Sequence, residues 1–439
     1  MPSDAVSFPV RPSFRLPRSV ELVCFGLCIA QCAYLLASLT AGSWILDSGG
    51  QRIATDFVNI WASGRQVLAG DPAAAYDVGL HKQAEVTALG HPFSGEYPWI
   101  YPPTFLLIAT LLALLPFVPA YAAWAAITFP AYVGGIRAIL AHRAGVLLAC
   151  AYPGILSNII VGQNGFATAA LIGWALIVLK RRPMLAGCCV GLLSFKPHLG
   201  VLFPLVLVFG RHWRALAAAA GTTVLLALAS CFAFGIETWH AFFQSLPVAS
   251  QAALADGRAD WAKLQSVFAV VRLMGGGASL AWAVHLSFAA ATAVVLCALW
   301  DSKINYELKA AALATCTLLV TPYLFLYDLV VLAVPMAFLL RIGWSSGFLP
   351  GELPAIAFAS LLVLIFPLVT APVGLAAILV VALLIAIRVH HAASGTDELL
   401  EYQGEPALVR SGAAVDRALL TALCAARPAC DKRQSESRA

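Results

Sequence analysis

The chain has 439 residues, of which 61% are hydrophobic and only 11% charged, with a formal net charge of +5 at pH 7. Soluble domains carry roughly 25% charge, and domains of roughly 150 residues with this composition would leave large apolar patches in water. A soluble enzyme is excluded. The basic residues are scattered and form no phosphate-tracking stripe, so nucleic acid is not an expected partner.

In chain order, residues 1–19 form a cytoplasmic amino-terminal segment with Arg11, Arg15 and Arg18. The apolar run from Leu22 to Leu46 exceeds the roughly 7–15 residues of a secretory signal core and has no clear cleavage site, so it is expected to remain as a first span. Within it Cys24, Cys28 and Cys32 recur every fourth residue on one helix face. No His or carboxylate accompanies them, and they read as small packing residues rather than a metal site.

The charge-free stretches that follow predict an all-α integral membrane bundle, because backbone in hydrocarbon must satisfy its own hydrogen bonds. At roughly 20 residues per crossing, twelve spans are expected, near 20–40, 119–140, 144–161, 165–180, 183–196, 198–210, 215–235, 279–300, 306–321, 327–341, 353–370 and 372–388. The piece 104–117, broken by Pro116, is too short and is expected to lie in or dip into the outer interface. With an inside amino terminus most basic residues are cytoplasmic, including the Lys180-Arg181-Arg182 cluster, and both termini are inside. Residues 20–388 then form one transmembrane domain, with external loops at 41–103 and 236–278. The cytoplasmic tail 389–439 is expected to be largely disordered, with 413–427 patterned for a short amphipathic helix. No internal repeat is visible, which weakens an inverted-repeat transporter reading.

Asp56 opens the stretch Asp56-Phe57-Val58-Asn59-Ile60-Trp61-Ala62-Ser63-Gly64-Arg65. If helical, this stretch puts Asp56, Asn59 or Ile60, and Gly64 near one face. A carboxylate held near an Arg stays ionised and can take a proton from an attacking hydroxyl; an exposed helix N-cap would suit Asp equally. The run Tyr97-Pro98-Trp99-Ile100-Tyr101-Pro102-Pro103 suits headgroup anchoring, and its aromatic faces also suit a sugar ring or prenyl chain. Further polar groups stand at the outer ends of spans: Gln163-Asn164, Lys196-Pro197-His198, and Tyr327-Asp328 beside Thr321-Pro322-Tyr323. Ionisable groups at such depth are functional candidates by default. Lys196, external against the positive-inside trend, fits a lipid phosphate; its alternative is a snorkelling lysine. His142, His212 and His285 read as structural, and Gly275-Gly276-Gly277 as a flexible joint.

These residues together resemble glycosyltransferase family 87, the polyprenyl-phosphate-mannose-dependent mannosyltransferases of the GT-C superfamily. The resemblance rests on Asp56–Arg65 with Gly70-Asp71 and Tyr76-Asp77, Tyr101-Pro102-Pro103 leading to Leu114-Leu115-Pro116, Gly162-Gln163-Asn164, Phe195-Lys196-Pro197 and Thr321-Pro322-Tyr323. It covers roughly residues 20–340. It implies a transferase of a bacterial plasma membrane that moves a hexose, mannose in the family pattern, from a polyprenyl-phosphate donor to an extracytoplasmic lipid or glycan acceptor. Asp56 becomes the general base, and Lys196 and Arg65 the candidates to neutralise the leaving phosphate. Trp61, Tyr101, Gln163, Asn164, His198, Tyr327 and Asp328 become the substrate-binding candidates. Family members often carry a His pair where this chain has Tyr327 and Asp328. No metal or other cofactor is expected, since the scheme requires no divalent ion. The competing class is a secondary transporter or lipid flippase.

Overall fold

The computed structural model describes residues 16–95, 97–369 and 371–404. Helix α1 (Arg18–Thr40) buries only Cys24 and Gln31, so an almost wholly apolar cylinder faces outward, as a helix in lipid does. A two-residue antiparallel ladder follows, β1 (Ser43–Trp44) with β2 (Leu46–Asp47). The 41–103 segment, expected as a loop, is otherwise largely helical: α2 (Asp56–Leu68), a 3₁₀ turn Pro72–Tyr76, and α3 (Val78–Leu89). Asp71 and Asp77 start the latter two elements by accepting the backbone N–H groups of Ala74 and Leu80.

Helix α4 (Pro103–Ala113) packs closely on α2. A Cβ on Gly64 would lie 2.1 Å from the Ala109 carbonyl oxygen, so only glycine admits the approach. Phe105, Leu106 and Ala109 are fully buried, whereas Leu111 and Leu114 face outward. At 11 residues this piece is too short to cross alone, and it is wedged into the protein rather than laid on a surface.

Next come α5 (Phe117–Leu140), α6 (Ala144–Ala151) and α7 (Gly154–Val161), the last two bent by 63° at Tyr152-Pro153. Helix α8 (Gly165–Val178) precedes α9 (Pro183–Leu192), which tightens into a 3₁₀ turn through Phe195, and then α10 (Pro197–Gly200) and α11 (Leu202–Phe209). Helix α12 (Trp213–Phe234) lies against α9, where Gly187 and Gly191 leave no room for a Cβ beside the Ala215 and Ala219 backbone. This is small-residue packing of the kind that joins helices in lipid.

The 236–278 segment is also helical, with α13 (Ile236–Ser250), a π turn Gln251–Ala255 and α14 (Val267–Leu273) around a small core of Leu254, Leu264 and Phe268. Helices α15 (Ala278–Asp301) and α16 (Tyr306–Leu319) precede a 3₁₀ stretch Leu326–Leu332 that runs into α17 (Ala333–Ser346). Helices α18 (Glu352–Ile365) and α19 (Val373–Gly404) complete the described chain.

The protein is a multi-pass, all-helical membrane protein apart from the small ladder, but the expected count of twelve spans is not supported. Among the described residues six helices are long and apolar enough to cross, and seven if the bent α6–α7 pair is one span. The apolar pieces 103–113, 165–178, 183–195, 197–209 and 352–365 are each shorter than 18 residues. At 1.5 Å per residue they reach about 15–21 Å, less than the ~30 Å of hydrocarbon. The expected spans end at the same breaks, Gly165, Pro183 and Pro197, but counted each short piece between them as a full crossing.

The chain divides into two units, residues 1–386 and 387–439. The described part of the second is the helical continuation to Gly404, beyond the expected end of the span at 388. Residues 1–15 and 405–439, including the expected amphipathic stretch 413–427, lie outside the described residues.

Candidate active site

Asp56 occupies the first turn of α2. Thr55, in extended conformation, holds the N-cap position, so Asp56 is not the cap. Its half-buried carboxylate turns to another part of the chain, where Oδ2 accepts a hydrogen bond from Gln163 Nε2 at 3.1 Å.

Gln163 is presented by the short link between α7 and α8. Gly162 ends α7 with φ +71°, and a Cβ there would fall 2.7 Å from both Phe57 Cβ and the Tyr121 ring. Gly165 opens α8 where a Cβ would fall 2.4 Å from the Tyr327 carbonyl oxygen. A glycine on either side thus lets this link enter between α2 and the 3₁₀ stretch. The Gln163 amide is then fixed from its other side, its Oε1 accepting from the Tyr101 hydroxyl at 3.0 Å and from the Asn164 N–H at 3.2 Å. Asn158, with its amide oriented to satisfy both ends, donates to the Gln163 carbonyl at 3.1 Å and accepts from Gly165 N–H at 2.9 Å.

Lys196 stands at the break between the 3₁₀ turn after α9 and α10, where Pro197 begins a new helix. Its Nζ donates to Asn164 Oδ1 at 2.8 Å and to Asp328 Oδ1 at 2.5 Å, and lies 5.1 Å from the centre of the Tyr327 ring. Lys196 is 3% exposed and Asp328 0%. Neither charge would survive such burial without the other, because removing a lone ion from water costs several kcal/mol.

Asp56, Gln163, Asn164, Lys196 and Asp328 thereby form one connected polar chain. Burial pushes the Asp56 carboxyl up to about 6, opposed by the Gln163 hydrogen bond and by the charges of Lys196 and Lys263. Such a carboxylate is mainly ionised at neutral pH yet more basic than a free one, which suits a proton acceptor. Lys263 carried no signal in the sequence beyond being basic. It enters because the turn before α14 docks on the segment preceding the 3₁₀ stretch, with Leu264 bridging Phe325 and the Gln265 N–H donating to Leu324 O at 2.7 Å.

Other expected site residues are placed differently. Tyr101 is buried, touching Gln163 through its hydroxyl and Phe105 through its ring. His198 lies beside Tyr323, and its Nε2 has no hydrogen-bond partner in the protein. Tyr327 stacks on Phe325. Trp61 and Arg65 are not brought to the chain of polar groups. Trp61 donates to Leu115 O at 3.0 Å and packs edge-on to Phe117. Arg65 is exposed and lies over the Trp61 ring. Nine residues along a helix separate Asp56 from Arg65, about 13 Å, which local spacing in the sequence concealed.

The sequence also gave no sign of the part played by His81. Buried in α3, it stands 2.8 Å from Gln66 Oε1 and 2.9 Å from Asn59 Oδ1, both on α2. Burial pushes it down to about 4, and Glu85 Oε1 lies 3.5 Å from its Nε2; it clamps the helix that begins with Asp56. Its partners lie on a different helix, and no motif spacing links them. Among the described residues no three His, Cys, Asp or Glu side chains are grouped to hold a metal ion.

The sequence model of glycosyltransferase family 87 matches residues 99–322. The chain belongs to glycosyltransferase family 87. No curated protein and no solved structure matches it. It is accordingly a membrane glycosyltransferase, and membership in this family sets aside the transporter or flippase alternative. The matched stretch contains Tyr101, Gln163, Asn164, Lys196 and Lys263, whereas Asp56 and Asp328 lie outside it and join the cluster through the fold.

Proposed function

We propose that this family 87 transferase moves a hexose, specifically mannose, from a polyprenyl-phosphate donor to a lipid or glycan acceptor on the extracytoplasmic side of a bacterial plasma membrane. The observation carrying this reading is that one residue pair, Gln163-Asn164, holds the Asp56 carboxylate at one end and the Lys196 ammonium at the other. Base and cation are what the chemistry needs on either side of an anomeric carbon. Asp56 takes the proton of the acceptor hydroxyl as its oxygen bonds to that carbon. The bond from the carbon to the phosphate oxygen breaks, and polyprenyl phosphate departs with the electron pair. Attack from the side opposite the phosphate inverts the anomeric centre.

Lys196 uses two N–H groups on Asn164 and Asp328, and the third serves the phosphate oxygen. Asp328 keeps that ammonium charged and aimed; Tyr101 fixes the Gln163 amide; His198 and Tyr327 flank the donor. Lys263 supplies a second positive charge near the base. Arg65 and Trp61 are left outside the scheme, and no divalent ion is needed.

The test is transfer by the purified protein in detergent from polyprenyl-phosphate-mannose, with polyprenyl-phosphate-glucose in parallel. Asp56→Asn is expected to abolish transfer with no loss of thermal stability. Normal turnover in that variant rejects Asp56 as the base, and equal use of both donors rejects mannose as the preferred sugar.

A further inference from the structure

Two helical segments that meet the polar chain at one end, and a third that ends near Thr321, reach a second, separate concavity at the other. Helix α8 begins next to Asn164 and leads to Lys180; the chain from Lys196 runs through α10 and α11 to His212; α16 starts at Tyr306 and ends two residues before Thr321. Segments of this length put the concavity about 20 Å from Lys196. It has a volume of about 130 Å³ and is lined by Lys180, His212, Trp300, Tyr306 and Lys309.

The lining is positive and short of acid. Lys180 Nζ rests 4.5 Å from the centre of the Tyr306 ring. Lys309 Nζ donates to the carbonyl oxygens of Trp300 at 3.0 Å and Ser302 at 2.6 Å. Among the described residues no carboxylate lies within 4.0 Å of either ammonium. Asp301 acts on Lys309 from beyond that distance, and Glu307 is the neighbour of Tyr306 in the chain. Burial and the two lysine charges together hold His212 below its usual pKa. The buried indole N–H of Trp300 has no acceptor in the protein. Capping the last carbonyls of α15 accounts for Lys309, since cations suit a helix C-terminus. It does not account for Lys180, which reaches none of those carbonyls. Arg181 and Arg211 adjoin lining residues in the chain, as does the exposed Trp213, and Arg214 follows it.

We infer that this concavity is a binding site for a phosphate group, borne by an anionic lipid headgroup or free in solution. Lys180 and Lys309 neutralise the phosphate by charge-assisted contacts. Basic recesses between membrane helices are suited to such groups.

The test has two arms on the full-length protein in detergent. Native mass spectrometry measures retention of short-chain phosphatidic acid against phosphatidylcholine, and thermal-shift titration measures the response to inorganic phosphate. Phosphatidic acid is expected to be retained about tenfold better than phosphatidylcholine, with the preference lost in Lys180→Gln and in Lys180→Gln/Lys309→Gln. Sugar transfer should stay within about twofold of wild type. A stabilisation by inorganic phosphate that Lys180→Gln removes, without lipid retention, assigns the same site to the free anion. Because Lys309 also caps α15, the exposed Lys180→Gln change and competition by excess inorganic phosphate on the wild type carry the test if the double variant does not fold. Equal retention of the two lipids together with no phosphate response overturns the inference, as does behaviour of Lys180→Gln identical to wild type in both arms.

Discussion

Lysine meets an aromatic ring at both ends of the α8 region, but the two places differ in what else faces the ammonium. Lys196 is buried against Asp328, with Asn164 completing its donors. Lys180 and Lys309 have rings and carbonyl oxygens around them and no carboxylate within 4.0 Å among the described residues. A buried cation with a matched acid is fixed in direction while much of its field is cancelled; cations without one project their charge outward. In the proposed scheme Lys196 therefore acts through one well-aimed N–H in a dry place, whereas Lys180 and Lys309 attract an anion by net charge. A lysine alone is not the signature of either role; the acid beside it decides.

The comparison breaks first at Asp56. Asp56→Asn should lower transfer by about 10²–10⁴-fold, the range of general-base catalysis. The stability effect has the opposite sign. The folded carboxyl sits at about 6 instead of 3.8, so its proton binds more tightly in the folded state. Stability from this group is present below about 3.8 and lost as pH rises through about 6. The melting temperature of Asp56→Asn should therefore gain on wild type between pH 4 and pH 7, and a variant that loses ground over that interval contradicts a desolvated carboxylate.

Next in size is the matched pair. Lys196→Ala or Asp328→Ala strands a buried charge and should cost about 3–5 kcal/mol in a denaturant titration. Lys196→Met/Asp328→Leu should recover most of that stability and no transfer. Recovery of activity in the double variant would make the pair structural and remove Lys196 from the chemistry.

Smaller still is the effect of Gln163. The wild-type rate should fall on the acid side with a midpoint near 6, as Asp56 takes up its proton. Gln163→Leu removes a hydrogen bond to the charged form, so that midpoint should move upward. A pH profile unchanged by the substitution would argue that Asp56 does not set the acid limb. At the unmatched end, Lys180→Gln should alter stability by no more than about 0.5 kcal/mol, as expected for an exposed side chain.

Much of the site could be read from the sequence because polar residues interrupt apolar runs there: Asp56, Gln163-Asn164, Lys196 and Asp328 stand out wherever the surroundings are Leu, Val and Ala. The all-helical membrane class followed from the same contrast. What could not be read are contacts between distant helices. Asp56 and Arg65 share a motif yet lie two and a half turns apart, while His81 and Lys263 belong to the surroundings of Asp56 through packing alone. Lys180, taken with its neighbours as a marker of the cytoplasmic side, proves to line a recess. The span count failed where apolar pieces shorter than 18 residues, already bounded by Pro and Gly, were each taken as a full crossing.

The two apolar legs on either side of Lys196 return to a common place, since Lys180 and His212 line the same recess. Each leg is about 20 Å long, so with the recess at the cytoplasmic face, as the basic residues lead one to expect, the tip stops roughly 10 Å short of the far side of a ~30 Å hydrocarbon slab. Acyl chains beside it must shorten, or water must enter above it. In the proposed scheme this gap is where a long isoprenoid carrier slips in edgewise with its polar end at the tip, while the acceptor descends to meet it from the aqueous side.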